Sequence, residues 1–446
     1  MSNLLAGSLA TTAEMAAVFS DVSVLRAMLD FEGALARAEA RARVIPASAA
    51  GSITEAATTA DFDVDELARQ TLRAGTLAIP VVKMLIARVR ERDPASASYV
   101  HWGATSQDVT DTALILLLRR CRDILAADYA RLDQALRRLS SSHANSVMLA
   151  RTLLQPAPPI TFGLKAAAWL GAIRRSWNRV ESAFDEALIL QFGGASGTLA
   201  SLGDQGLAVS RFLAEELDLT VAEAPWHVHR DRLAFLAASC GIYTGSLGKM
   251  ARDVALLSQS EVGEAAEGGG EGRGGSSTMP HKRNPIASSL ALAAANRVPG
   301  LVAGFLAGMV QEHERAAGGW QAEWPALTSI MGSTGVALAS MAEAAEGLAV
   351  DPERMRANIG ATRGVIFTER ALMMLAAHLG REAAHRLLED AAGQVASSDS
   401  TLTEVLAAMP EVTRILTPAQ LKNLDVPEEY LGSAEVFRLL LLAGNE

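Results

Sequence analysis

The stretch Gly268–Pro285, GGGEGRGGSSTMPHKRNP, concentrates groups that could do chemistry. Six of its first eight residues are glycine, which frees the backbone to move or to adopt positive φ. Two adjacent hydroxyls follow, Ser276 and Ser277, then the polar run His281, Lys282, Arg283 and Asn284. Pro285 opens a long apolar segment, as proline does at a helix start. A mobile loop ending in a nucleophile or base, beside fixed cations and a helix N-terminus, suits an anionic substrate. A plain Gly/Ser linker would end without such a cluster, so a catalytic loop is the better reading. Two more polar islands interrupt the apolar pattern: Ser98–Thr112, SYVHWGATSQDVTDT, and Arg151–Ala157, RTLLQPA. The first reads as a loop feeding a helix, with Thr105 or Ser106 as N-cap and Asp108 in the first turn.

These islands need a frame, and its pattern is helical. Thr12–Arg43 reads as a helix, and Asp63–Gly75 and Pro80–Arg92 as shorter ones. Leu118, Cys121, Leu125, Leu132, Ala135 and Leu139 then advance by threes and fours, with Asp128 the one miss. Comparable long stretches run over about Ile160–Leu190, Asp231–Glu261, Ile286–Glu314 and Glu323–Leu348. No strand alternation lies between them, so an elongated bundle of long helices is expected. Phe192–Asp204, FGGASGTLASLGD, is either a loop near a site or only a turn. Shorter helices return after Asp351, ending in a leucine-rich one at 434–442. The expected fold is all-α: an N-terminal helical domain over 1–105, a central bundle and oligomer core over 106–350, and a C-terminal helical domain over 351–446.

Composition narrows the class. The chain has 446 residues, half of them hydrophobic but only 5% aromatic, which favours helices packed through small side chains. Its net charge of −10 argues against nucleic acid or an anionic membrane as partner, while leaving room for a locally positive site. Cys121 and Cys240 sit in apolar helical runs and read as buried thiols in a reducing compartment. The N-terminus lacks a signal-peptide pattern, and no run reaches the roughly 18 apolar residues of a membrane span. A cytoplasmic enzyme is expected. His227-Val228-His229 lacks a third ligand at a familiar spacing, and GEGRGG lacks the Lys-Ser/Thr of a phosphate loop, so neither metal nor cofactor is expected.

Gly275–Pro285, GSSTMPHKRNP, resembles the signature loop of the fumarase/aspartase superfamily, whose members include adenylosuccinate and argininosuccinate lyases. Thr105-Ser106-Gln107-Asp108 looks like that family's first conserved region and RTLLQPA like its second, in the same order. The superfamily removes a proton beside a carboxylate and expels a group from the adjacent carbon. The intermediate is a dianionic aci-carboxylate, which demands cations and donors placed in advance. By resemblance Ser276 is the base, and Lys282 and Asn284 hold the carboxylate, with Ser277 in a weaker, substrate-binding role. A serine hydroxyl is too weak a base unless its alkoxide is stabilised. Loop N–H groups, Lys282 and the helix start after Pro285 could all contribute. The resemblance also implies a homotetramer with a twenty-helix core, each active site drawing its islands from three subunits.

The second island departs from the pattern. Lyases of this kind read Thr-His-x-Gln, the histidine moving a proton to the leaving group, whereas this chain reads Thr152-Leu153-Leu154-Gln155. Leucine cannot move a proton. An amine leaves poorly without one, but a carboxylate, with a reference pKa near 4, leaves as a stable anion. The reaction this implies is intramolecular lactone formation or opening, the chemistry of the superfamily's lactonising branch. Segments around His101-Trp102-Gly103, Pro225-Trp226-His227, Arg230-Asp231-Arg232, His313-Glu314-Arg315 and Gly318–Trp324 look like that branch.

Its substrate is a small tricarboxylate, so a site rich in donors follows. Catalytic candidates are Ser276, Lys282, His101 and His313; substrate-binding candidates are Thr105, Ser106, Arg151, Thr152, Gln155, Arg230, Ser277, His281 and Asn284. Trp226, Trp320 and Trp324 could wall the site or pack the core. Glu261, Glu264, Glu267 and Glu271 read as a solvated helix end and loop, their charge being wrong for the substrate. Adenylosuccinate lyase activity, opposed by Leu153, and a non-enzymatic structural relative are the competing readings.

Overall fold

The computed structural model of the chain describes residues 4–59, 62–268, 274–275, 278–279 and 282–444. The single helix expected over Thr12–Arg43 breaks at Ser20, giving α1 (Ala13–Val18) and α2 (Asp21–Arg41). Ser20 caps α2, its hydroxyl accepting the Ser23 N–H. Next come α3 (Ala47–Thr59), α4 (Val64–Ala74) and α5 (Ala78–Arg92). Asp63 caps α4 and left-handed Gly75 ends it, the pairing that favours glycine beyond a helix C-terminus.

The all-α expectation holds for the bulk of the chain. The long elements are α6 (Ser106–Ser142), α7 (Phe162–Ala187), α8 (Gly206–Leu217), α9 (Asp231–Leu257), α10 (Ile286–Ala307) and α11 (Gly319–Glu346). Each of the six periodic positions read along α6, from Leu118 to Leu139, is buried. Residues 107–118 are buried on every face, which is why the polar first turn of α6 carries no exposed stripe. After α11 come α12 (Pro352–Ala361), α13 (Thr368–Leu379) and α14 (Arg381–Ser397).

Contacts divide the chain into two compact units. The first comprises Met1–Tyr129, Arg175–Gly248 and Leu290–Ser340; the second comprises Ala130–Arg174, Lys249–Ser289 and Met341–Glu446. In the first, α2 packs on α3 and α8, and ion pairs Arg37–Glu216 and Arg41–Glu215 tie α2 to α8. In the second, Leu375, Leu388, Leu402 and Leu406 centre a C-terminal core. Each such leucine contributes about 1.5–3 kcal/mol by leaving water.

The second unit also holds what the helical reading missed. Strands β1 (Val147–Thr152) and β2 (Gln155–Thr161) pair antiparallel with a bulge at Leu149/Ala150. Val147 and Leu149 of β1 pack against Ile359, Ile366 and Phe367, which fixes the hairpin's seat. Only Leu153 and Leu154 join the strands, both with positive φ (49° and 65°), the backbone of a two-residue hairpin turn that normally selects Asn-Gly. Leucine is ill-suited to that conformation, so the turn is strained. The helix expected over Ile160–Leu190 accordingly starts later, at Phe162.

Helix α10, of 22 residues and mean hydropathy 1.5, is long and apolar enough to cross a membrane, with only 22% of its apolar window buried. Its hydropathy comes from alanine, leucine and valine, interrupted by Asn296 and Arg297. It stops at Ala307, short of the expected Glu314, so His313 lies on the irregular connection to α11.

Candidate functional site

In the first unit the chemistry is assembled around the start of α6. Thr105 precedes the helix, and the Asp108 carboxylate accepts its N–H at 3.0 Å, one half of a capping box. The same carboxylate accepts the N–H groups of Gly193 and Gly194, each at 2.9 Å, and a bond of 2.7 Å from His227 Nε2. Four donors on one fully buried carboxylate lock the first island to the FGGASG segment. That segment is therefore a loop packed on the site. Glycine is required there, since a Cβ on Gly193 would lie 2.6 Å from Pro225 and one on Gly194 2.8 Å from the Gly103 carbonyl.

Thr105 Oγ1 accepts a 2.8 Å bond from Arg315, which draws the 308–318 connection onto the first island. Arg315, noted in sequence only as part of a segment, is thus a cation beside a candidate substrate contact. Ser106 is half-buried in the first turn of α6; His313 is exposed, with φ of 47°. His101 has φ of 58° and a side chain only 16% exposed, and its Nδ1 lies 2.6 Å from Glu32 Oε1. Burial opposes the charged imidazolium, but the charge and hydrogen bond of Glu32, with Asp108, outweigh it and raise the His101 pKa.

Arg230 occupies a different setting from the one expected. Its guanidinium is wholly buried, bonded to both oxygens of Asp111 (2.7 and 3.0 Å) and to Glu323 (2.5–3.0 Å). Trp226 lies 4.8 Å from its Cζ, and Trp320 donates to Asp111 at 3.2 Å. With no exposed side-chain surface, Arg230 has no face to offer a substrate; it is an internal ion knitting α6, α9 and α11. Burial lifts the Glu323 carboxyl above its ordinary range, partly offset by Arg230, because two carboxylates share one cation. Trp226 and Trp320, buried around this cluster, are core residues.

On α2, Glu39 is buried two turns beyond Glu32, with neither oxygen bonded among the described residues. Burial, then the charge of Glu32, pushes its pKa up to about 9. The folded state therefore holds a proton that the unfolded chain releases above about pH 4.5. Its contribution to stability is complete below that pH and is lost as pH rises toward 9, by about 1.4 kcal/mol per unit. Glu39→Gln is expected to melt near wild type at pH 5.5 and clearly above it at pH 8.5. A gap that does not widen with pH in paired thermal melts would remove Glu39 as a buried proton holder.

In the second unit the hairpin presents Arg151, Thr152 and Gln155 to a cavity of about 870 Å³, also lined by Leu154, Asn358 and Glu369. Arg151 grips Glu264 fork to fork at 2.7 and 2.8 Å, and Asn358 donates to the same carboxylate at 2.8 Å. Glu264 is fully buried, which corrects its reading as a solvated loop residue; it holds an arginine that stays 26% exposed. Glu267 is corrected likewise. Its carboxylate accepts the Ala287 and Ser288 N–H groups at 2.9 and 2.8 Å, so the N-terminus of α10 is already capped from within the chain. The help expected from that helix start in stabilising an alkoxide is spent on Glu267.

Lys282 is exposed, and Asn284 is half-buried with its backbone N–H on the Gly274 carbonyl at 2.8 Å. Neither lines the Arg151 cavity. Ser276, Ser277 and His281 lie outside the described residues. Of the expected residues, Thr105, Ser106, His101 and His313 thus belong to the first unit, and Arg151, Thr152, Gln155, Lys282 and Asn284 to the second. Sequence reasoning passed over Glu32, Asp111 and Glu323 as ion-pair partners and misread Glu264 as solvated. The spacing of Glu32 and Glu39 on the apolar face of α2 was the one available signal.

A family model described as Lyase matches residues 8–300, and one described as Adenylosuccinate lyase C-terminus matches residues 364–437. The chain belongs to the lyase family. This is the fumarase/aspartase superfamily that the three islands resemble. Among its relatives, the 3-carboxy-cis,cis-muconate cycloisomerase of Bradyrhizobium diazoefficiens is 50% identical over 98% of this chain and 96% of its own length. The crystal structure of the 3-carboxy-cis,cis-muconate lactonizing enzyme from Pseudomonas putida is 42% identical with a TM-score of 0.93, covering 99% of this chain and 98% of that one. The nitrosuccinate lyase of Streptomyces davaonensis is 42% identical over 94% of this chain and 90% of its own length. Within the lyase family, then, this chain sits among members with more than one named reaction.

Proposed function

We propose that this chain is a cycloisomerase interconverting 3-carboxy-cis,cis-muconate and 4-carboxymuconolactone, an intramolecular lyase step of protocatechuate catabolism in the cytoplasm. The observation that carries the reading is Leu153. It stands at the tip of the β1–β2 turn, 97% exposed, where lyases of this superfamily place a proton-transferring histidine. A leaving group that departs from this site does so without a proton from that position, which suits a carboxylate. In the lactonising direction a substrate carboxylate oxygen forms a bond to one alkene carbon. The displaced π pair passes into the neighbouring carboxylate, and its α-carbon then takes a proton from the carrier, which recovers it from solvent; counted as free acids, substrate and product are isomers. Ser276 is the proposed proton carrier, with His101 and His313 as competitors. Lys282, Asn284, Arg151, Thr105, Ser106, Thr152, Gln155, Ser277 and His281 are proposed to bind the three carboxylates, without cofactor or metal. Relatives at 42–50% identity support the reading. A homotetramer is part of it, because the exposed apolar length of α10 suits burial against other copies of the chain.

The unaided exit of the leaving group also suits nitrite, which makes a nitrosuccinate lyase the second reading. The test offers the purified protein 3-carboxymuconate, nitrosuccinate and adenylosuccinate separately, following ultraviolet absorbance. Rapid loss of the conjugated diene from the first alone is expected; faster turnover of either other substrate overturns the proposal.

A further inference from the structure

We propose that Glu32 is the positioning residue of His101, holding its Nδ1 so that Nε2 is the nitrogen offered to the reaction. The inference rests on the reading of His101 as an active-site residue. Glu32 lies on α2, its side chain wholly buried, and reaches His101 Nδ1 at 2.6 Å across 69 residues of sequence. Its second oxygen has no partner among the described residues, so His101 is the one group its carboxylate is bonded to there. A carboxylate accepts and cannot donate, which leaves the proton on Nδ1 and fixes the tautomer. The ring's other nitrogen then carries the lone pair or, when charged, the transferable proton. The backbone at His101, left-handed with φ of 58°, is held in a conformation uncommon for a residue other than glycine. Strain at such a residue fits a side chain whose direction matters.

Two acidic residues stand on this face of α2, and they differ in role. Glu39, seven residues on, has its pKa pushed up to about 9 by burial and by the charge of Glu32, and it has no bond to His101 among the described residues. The charged groups acting on His101 are Glu32 from α2 and Asp108 from α6. Asp108 acts through its charge alone, its oxygens being taken by four other donors, while Glu32 adds a direct hydrogen bond and is the larger influence on the imidazole. A merely structural bond tying α2 to the first island would need no charge on Glu32.

The experiment compares Glu32→Gln, Glu32→Asp, His101→Asn and the Glu32→Gln/His101→Asn double variant. Diethyl pyrocarbonate modification of His101, followed by mass spectrometry across pH, reads its protonation without reference to turnover. In Glu32→Gln the midpoint is expected to fall by at least about one pH unit, kcat to fall about 10- to 100-fold, and KM to change less than threefold. The pH profile of kcat/KM should shift with the midpoint, and Glu32→Asp should restore part of both. The double variant should be no slower than His101→Asn alone. An unchanged midpoint and pH profile in Glu32→Gln overturns the proposal, as do losses that multiply in the double variant. If Glu32→Gln does not fold, the proposal stands or falls on a shifted profile in Glu32→Asp. Normal turnover by His101→Asn with a shifted midpoint in Glu32→Gln places the failure in the catalytic reading of His101, with the pairing intact.

Discussion

Replacing Ser276 by alanine is expected to lower kcat at least about 100-fold while KM stays within roughly threefold of wild type. A proton carrier contributes in the transition state and little to ground-state binding, so the two constants should separate. The structure sharpens where its support must come from. A serine alkoxide needs nearby positive potential, and the N-terminus of α10 is occupied by the carboxylate of Glu267. Lys282, exposed and four residues before α10 begins at Ile286, is left as the main side-chain source. Steady-state kinetics checks this directly. Near-normal turnover by Ser276→Ala would remove it as proton carrier and move the role to His101 or His313.

The second large effect concerns stability. Arg230→Met removes the cation from a fully buried cluster and leaves the Asp111 and Glu323 carboxylates facing each other. Breaking a buried pair from one side costs about 3–5 kcal/mol, because the remaining charge has lost its compensation without regaining water. Trp226 loses its stacked cation as well. The expected outcome is a strongly lowered melting temperature and poor soluble yield. A variant that melts like wild type but shows a raised KM would restore Arg230 as a substrate contact. The assay therefore separates a residue that holds the scaffold from one that holds the ligand.

The frame was legible where local pattern decides structure. Leu118, Cys121 and Leu125 announced α6 by their spacing, and Asp63 and Gly75 marked the ends of α4 by their capping chemistry. The β1–β2 hairpin was not legible for equally local reasons. Its strands are six and seven residues long, Pro156, Pro158 and Pro159 read as breakers, and Leu-Leu is not the dipeptide such a turn selects. The site's hydroxyl, lysine and histidine candidates could be named because their chemistry is conspicuous in a chain. Their buried acidic partners could not. Glu32 meets His101 across 69 residues and Glu264 meets Arg151 across 113, distances over which spacing carries no information. An isolated glutamate in sequence looks solvated; only the fold shows that Glu264 and Glu267 are committed to an arginine and a helix end.

The β1–β2 turn has a consequence for how this lineage changes chemistry. Left-handed backbone disfavours leucine, while histidine is among the residues that enter that region more readily. Position 153 is thus shaped for the residue it lacks. Two leucine codons, CUU and CUC, become histidine codons through one base change, and the side chain, at 97% exposure, is open to solvent among the described residues. A Leu153→His variant would gain a proton donor here with less backbone strain than its parent, leaving hairpin, cavity and Arg151 in place. On the proposed reading, the tip of this hairpin is therefore a low barrier between reactions that need a proton on the leaving group and reactions that do not.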